Sequence, residues 1–303
     1  MSTAYQLARA LGAKRSGRQW LCRCPAHDDH NPSLIFWQGH SAIRFKCYSG
    51  CDPLDIIAAL RRGGLLERHG EGVRDRNISG GHQNGDGRKR EDEDLARKHT
   101  ELARGIWHAA RDPRGTLVED YLRSRHLVLA DELVGRVLRF HPHCPWSNKD
   151  TGKTEYLPAL IAAFRSIDDD TLTAIHRIRL DQSERWPKAQ RRMLGVVHRA
   201  AVKLDGDVGD ELAIGEGVET CMAARLLGVR SPVWALGAAG AIAHFPVLPD
   251  VRTLRIISEN DSANEKAVEQ CGLRWQAAGR CVRVIKPDPD CKDLNDVLER
   301  RVP

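Results

Sequence analysis

The chain has 303 residues, a formal net charge of +6 and 41% hydrophobic residues. That length accommodates two domains and a third small module, and the apolar fraction excludes a disordered chain. The modest positive charge permits a polyanionic partner without requiring one. No apolar run approaches the ~18 residues of a membrane span, and the opening MSTAYQLARALGAKRSGRQW lacks the apolar core of a signal peptide. The expectation is a cytoplasmic protein with no membrane partner.

Residues 1–62 carry the first chemical signal. The cysteine count is nine, an odd number, and Cys22, Cys24, Cys47 and Cys51 crowd around a histidine. Such clustering points to a metal site in a reducing compartment, not to a disulfide framework. Cys24-Pro25-Ala26-His27 is followed, after about twenty residues, by Cys47-Tyr48-Ser49-Gly50-Cys51. Two short ligand pairs joined by a hairpin of LIFWQG (34–39) and AIRFKC (42–47) supply the four soft ligands of a tetrahedral, structural Zn²⁺. Cys22 is the alternative to Cys24 as ligand.

Residues 63–94 are rich in Gly and in both charges and nearly free of large apolar side chains, which predicts a flexible linker. From Leu95 to Leu129 apolar residues recur at helical spacing, and PALIAAFRS (158–166) and TLTAIHRIRL (171–180) read as strands around the turn Asp168-Asp169-Asp170. Between His176 and Lys203 eight Lys/Arg stand against two acids, a candidate track for template backbone or nucleoside triphosphate, with Arg177, Lys188, Arg191 and Arg192 as anion contacts. Gly152-Lys153-Thr154 ends like a phosphate-binding loop, but Ser147 replaces its first glycine and no apolar strand precedes it, so no ATPase or helicase module is expected.

Residues 95–205 are taken as an α+β basic subdomain, and residues 206–303 as an α/β domain with a mostly parallel sheet. Strands at 212–217, 233–237, 253–258 and 281–285 alternate with helices at 218–228, 262–279 and 294–301. Three acidic groups follow strand ends: Glu216 between two glycines, Glu259 with Asp261, and Asp293 with Asn295-Asp296. In an open α/β sheet ligands bind at the carboxyl ends of strands. Converging carboxylates there suit Mg²⁺ or Mn²⁺ and metal-assisted phosphoryl or nucleotidyl transfer. Glu259 and Asp261, one residue apart, are expected to aim the same way. Cys144, Cys221, Cys271, Cys281 and Cys291 show no ligand spacing and read as ordinary thiols.

Two stretches resemble a known family. Cys24-Pro25-Ala26-His27-Asp28-Asp29-His30-Asn31-Pro32-Ser33-Leu34, with Phe45-Lys46-Cys47 and Gly50-Cys51, is similar to the Cys-His-Cys-Cys zinc ribbon of bacterial and phage DNA primases. Gly215-Glu216-Gly217-Val218-Glu219-Thr220, Gly237, Glu259-Asn260-Asp261 and Asp293 resemble the motifs of the Toprim domain of the same enzymes. The resemblance implies an α/β multidomain primase of phage, plasmid or mobile-element type. Its partners would be single-stranded DNA template, NTPs and a separate replicative helicase. It also implies catalytic roles for Glu216, Glu259, Asp261 and Asp293, with Mg²⁺ or Mn²⁺ at the first three and one structural zinc on Cys24, His27, Cys47 and Cys51. On the ribbon Arg44 and Lys46, with Arg23, are the implied phosphate contacts, while Trp37 is either a stacking platform or a core residue. One departure is Glu259 where the family has Asp; the extra methylene moves the carboxylate oxygens, which weakens activity or favours Mn²⁺. A Toprim-type nuclease and a weakened single-stranded-DNA-binding protein are the alternative functions.

Overall fold

A computed structural model describes residues 4–17, 19–27, 29, 32–33, 34–39, 43–47, 51, 53–66, 83–147, 152–180 and 190–301. Lys188 and residues 67–82 of the expected linker lie outside the described residues. The chain divides into two compact units at residue 80.

The first unit opens with helix α1 (Ala4–Ala10) and continues as an antiparallel sheet ordered β1 (Lys14–Ser16), β2 (Gln19–Cys22), β3 (Leu34–Gln38), β4 (Ile43–Cys47), followed by helix α2 (Pro53–Arg62). Alternation decides its faces. Phe36 pairs with Trp20 on one side and Phe45 on the other, and Leu34 sits between Cys22 and Cys47. This face packs on Leu7, Ile56 and Leu60 of the helices. The residues between them, Ile35, Trp37, Arg44 and Lys46, share the opposite face.

The second unit begins with helices α3 (Gln83–Ala109) and α4 (Leu117–Ser124), then strands β5 (Leu138–Ser147), β6 (Thr154–Ser166), β7 (Leu172–Arg179), β8 (Arg191–Gly195) and β9 (Ala200–Lys203). It continues with β10 (Glu211–Gly215), α5 (Val218–Leu226), β11 (Val233–Ala235), α6 (Ala239–Ala243), β12 (Thr253–Ile257), α7 (Ser262–Ala277), β13 (Cys281–Ile285) and α8 (Leu294–Arg301). One sheet holds every described strand of this unit: β13-β12-β10-β11 run parallel, β9-β6-β7-β8 continue antiparallel, and β5 pairs with β6. The boundary expected at residues 205/206 therefore falls inside a continuous sheet, between β9 and β10.

Helices cover both faces. Tyr121 of α4, Met222 of α5 and Leu298 of α8 share one apolar cluster with Leu160 and Phe164 of β6. On the other face, under α6 and α7, Leu212, Ile214 and Trp234 meet Phe245 and Trp275, whose rings stack with centroids 6.0 Å apart. Burying a side chain such as Phe245 contributes about 1.5–3 kcal/mol. Strand β10 is apolar on both faces because both are covered.

The structure departs from expectation at α3, which starts at Gln83, whereas 63–94 was expected to be linker. From Arg88 to Arg104 the sequence has neither Gly nor Pro and consists mainly of Arg, Lys, Glu, Asp, Leu and Ala. These are mostly strong helix formers, and packing of Ala103, Ile106 and Trp107 against β6 and β7 anchors the helix end. Thr154 opens β6 and not a helix, so Gly152-Lys153-Thr154 leads into a strand. Among the described residues no helix is long and apolar enough to cross a membrane.

Candidate metal centre and catalytic cleft

In the first unit the ligand atoms of Cys24, His27, Cys47 and Cys51 all lie within 4.8 Å of one another. His27 Nδ1 is 3.1 Å from Cys51 Sγ and 4.0 Å from Cys47 Sγ. Cys47 ends β4, while Cys24 and His27 occupy the loop after β2, so the sheet itself brings the pairs together. Cys22, the alternative ligand, stays in the apolar core and outside the cluster.

Asp29 braces the cluster. Its Oδ2 accepts hydrogen bonds from the Cys24 N–H at 2.6 Å and the Ser33 hydroxyl at 2.6 Å, and its Oδ1 lies 3.6 Å from His27 Nε2. A carboxylate behind the imidazole fixes the ring and leaves Nδ1 for a metal. Burial pushes the Cys24 thiol up, and burial together with neighbouring Cys47 pushes Cys51 up to about 11. A bound cation reverses such shifts. Three sulfurs and one imidazole nitrogen fit Zn²⁺.

Arg44 and Lys46 are exposed on β4, on the sheet face away from the core. Half-buried Trp37 pairs with Arg44 on that same face and is not a core residue. Lys14, paired with Leu21, joins them there.

In the second unit a cleft of about 460 Å³ opens at the carboxyl ends of the parallel strands. Glu216, immediately after β10, Glu259, after β12, and Asp293, after β13, all line it. Gly237, after β11, lines it too and donates its N–H to the Glu216 carbonyl at 2.8 Å. Its φ of +82° and the approach of Phe164 and Met193, 2.7 and 2.9 Å from where a Cβ would stand, leave room only for glycine.

Glu259 is buried and Glu216 and Asp293 are half-buried, without collapsing on one another; among the described residues only the Cys/His set draws three or more ligand atoms into a tight group. Burial, then repulsion from Glu216 and Asp293, raises Glu259 to about 7. Burial also raises Glu216, opposed by a hydrogen bond from Asn264 Nδ2 to its Oε2 at 3.2 Å. Lys292 Nζ stands 4.0 Å from Glu259 Oε2. Oxygen donors such as Glu216 and Glu259, whose charge burial disfavours, fit a hard divalent cation.

Asp261 and Asp293 each cap a helix. Asp261 Oδ1 accepts from the N–H groups of Ala263 and Asn264 at 3.0 and 2.9 Å, and Asp293 Oδ1 from those of Asn295 and Asp296 at 2.8 and 3.2 Å. Asp261 does not line the cleft beside Glu259, although its charge raises both Glu216 and Glu259. The expected alternation fails because β12 stops at Ile257, so residues 258–261 are loop and period two no longer applies.

Among the basic candidates, Arg191 and Arg192 line the cleft. Arg191 donates to Glu219 Oε1 from Nη2 at 2.7 Å and from Nε at 3.1 Å, and Tyr121 donates to the same oxygen at 2.6 Å. Burial disfavours charge on Glu219, but Arg191 and the Tyr121 hydroxyl outweigh it and hold the carboxyl down to about 2. Arg192 lies 4.8 Å over the Trp146 ring and bonds to the Ser147 carbonyl. Arg177 does not reach the cleft: neighbouring residues of β7 face opposite ways, and Arg177 lies over Trp146 and donates to the Pro145 carbonyl at 2.8 Å. His176, Lys292, Glu219 and Arg125 line the cleft, and Asn264 bonds to Glu216 behind it, yet sequence reasoning gave none of them a role. Only Glu219, inside the Gly-Glu-Gly-Val-Glu-Thr stretch, stood in a recognisable motif.

Residues 211–303 match the family described as "Toprim domain", and residues 97–204 match a "Domain of unknown function (DUF7146)". The C-terminal part of the chain is a Toprim domain. No curated protein matches the chain. The primase fragment of the bacteriophage T7 primase-helicase protein is similar, at 16% identity over 59% of this chain and 69% of that one, TM-score 0.43. So are the zinc-binding and RNA polymerase domains of the Aquifex aeolicus primase, at 13% identity over 99% and 83%, TM-score 0.41. A DnaG catalytic core is similar at 16% identity over 68% and 75%, TM-score 0.46. The likeness is one of fold, and at these scores it decides nothing about chemistry.

Proposed function

We propose that the chain is a DNA primase that joins NTPs into short RNA primers on single-stranded DNA, with Mg²⁺ or Mn²⁺ in the cleft and zinc in the ribbon. The observation that carries this reading is the cleft: Glu216, Glu259 and Asp293 gather at the ends of three parallel strands, with Arg125, Arg191, Arg192 and Lys292 around them. Glu216, Glu259 and Asp293 would hold the cation, with Asp261 adding negative charge behind them. When bound, the cation stabilises the attacking and leaving oxygens of nucleotidyl transfer. Asn264 orients the Glu216 carboxylate, and the Arg/Lys groups attract and neutralise the triphosphate. Nucleotidyl transfer then consists of 3′-hydroxyl attack on the α-phosphate with loss of pyrophosphate. The outer face of the ribbon, with Lys14, Trp37, Arg44 and Lys46, is the surface offered to template.

Incubating the protein with single-stranded DNA, labelled NTPs and Mg²⁺ or Mn²⁺ tests the reading. New short labelled oligonucleotides support it; shortened input DNA would identify a nuclease, and a gel shift with neither product a binding protein. Glu216→Gln should reduce synthesis by more than about 100-fold while leaving DNA binding within about twofold.

A further inference from the structure

His176 is the polar residue of β7 that faces the cleft. Ala174 and Ile178, on the same side of the strand, belong to the apolar cluster under α4 and α5. His176 stands between them, in register with Ala162 of β6 and Met193 of β8. It lines the cleft with Glu216, Glu259, Asp293 and Arg192. Only 9% of the residue is exposed, and its Nδ1 is shut off from solvent with no hydrogen-bond partner. Buried polar atoms are rarely left that way, because the lost hydration goes uncompensated. Glu219, whose charge reaches His176, accepts its hydrogen bonds from Arg191 and Tyr121. Burial, reinforced by Arg191 and Arg177 and opposed by Glu219, holds the imidazole below its ordinary value, so it is neutral near pH 7, with one N–H and one bare nitrogen.

We propose that His176 is a further substrate-binding residue whose Nδ1–H donates a hydrogen bond to a phosphate oxygen of the nucleoside triphosphate. The inference rests on reading the cleft as a nucleotide site and adds a contact to it. Phosphate oxygens only accept, so they complement a buried donor. A neutral donor also fixes direction without adding to the charge of Arg191 and Arg192 beside it, and a hydrogen bond in so dry a place is stronger than in water. The imidazole is a positioned partner, while the arginines are the long-range attraction.

The test is equilibrium binding of ATP, and separately of inorganic tripolyphosphate, to the zinc-loaded chain with Mn²⁺. His176→Phe keeps a ring and removes the donor; His176→Asn keeps a donor near the place of Nδ1. We expect His176→Phe to weaken both ligands about tenfold and His176→Asn to stay within about threefold of the parent, with melting temperature and zinc content unchanged. In primer synthesis the same loss should appear in KM for NTP and not in kcat. Should His176→Phe melt early, His176→Gln, which moves the donor out of position, takes its place with the same loss expected. Parental affinity in His176→Phe removes the residue from the site while leaving the nucleotide reading intact. A loss for ATP but not for tripolyphosphate also overturns the phosphate contact, since it moves the interaction to the nucleoside. If the parent protein binds neither ligand, the nucleotide reading fails and this inference with it.

Discussion

The ribbon and the cleft are both suited to metal, yet they are built on opposite principles. In the ribbon the four donors sit within 4.8 Å of one another and Asp29 braces them, so the shell is closed before any ion arrives. In the cleft the carboxylates stand apart around about 460 Å³, and Asp261 and Asp293 spend one oxygen each on helix caps. Soft donors in a closed tetrahedron suit a resident ion that holds the fold. Hard donors around open space suit an ion that arrives with, and acts on, a phosphate ligand. The cleft also separates roles between two neighbouring acids: Glu219 is locked by Arg191 and Tyr121 and works as structure, while Glu216, raised by burial, is left for ligand.

The largest effect should come from breaking the closed shell. Cys47→Ser is expected to abolish zinc retention, measured by metal analysis, and to melt the ribbon, since structural zinc in small domains contributes on the order of 10 kcal/mol; full zinc content in the variant would remove Cys47 as a ligand. Next in size is the locked acid. Arg191→Met leaves Glu219 buried without its cation and should cost about 3 kcal/mol in urea unfolding, whereas a change within about 0.5 kcal/mol would mean the network is slack. A smaller effect follows from Glu259. Its folded value near 7 lies above the usual 4.5, so its protonated form is the one the metal-free fold favours. The stability it contributes is fully present below 4.5 and is lost as pH rises through 7. The metal-free protein should therefore melt earlier at about pH 8 than at about pH 6, and Mn²⁺ or Glu259→Gln should flatten that slope; an unchanged slope in Glu259→Gln would assign it to other groups. Smallest is the ribbon surface: Lys46→Ala should reduce the salt dependence of single-stranded DNA binding by about 0.7 in the log–log slope, and an unaltered slope would take Lys46 off the template.

Much of this contrast was legible in the sequence because each signal sat on a strong local pattern. LAIG is an unbroken apolar run and LRII is interrupted only by Arg255, and the acid after each must emerge at a strand end of a covered sheet. The spacing of Cys24, His27, Cys47 and Cys51 around a hairpin left only Cys22 against Cys24 open, and the fold places Cys22 in the core. The rest depended on where strands stop and which way residues face. Ending β12 at Ile257 turned Asp261 from a partner of Glu259 into a cap. One step along β7 exchanged the roles of His176 and Arg177, so the histidine and not the arginine reached the cleft. Asn264 and Lys292 come from helix and loop positions whose proximity only tertiary folding creates. Strand β5 carries two prolines and a register shift between His141 and Cys144, which hides it from propensity.

Manganese uptake tests the open site most directly. With the ribbon already loaded with zinc, Mn²⁺ titrated into the protein near neutral pH can be followed by the loss of the free-ion paramagnetic resonance signal. The cleft as described predicts uptake by the parent chain and at least about a tenfold weaker affinity when Glu216→Gln and Glu259→Gln are combined, with zinc content unchanged. Equal uptake by the parent and the double variant would contradict it, because the acids at the three strand ends would then not be what holds the cation.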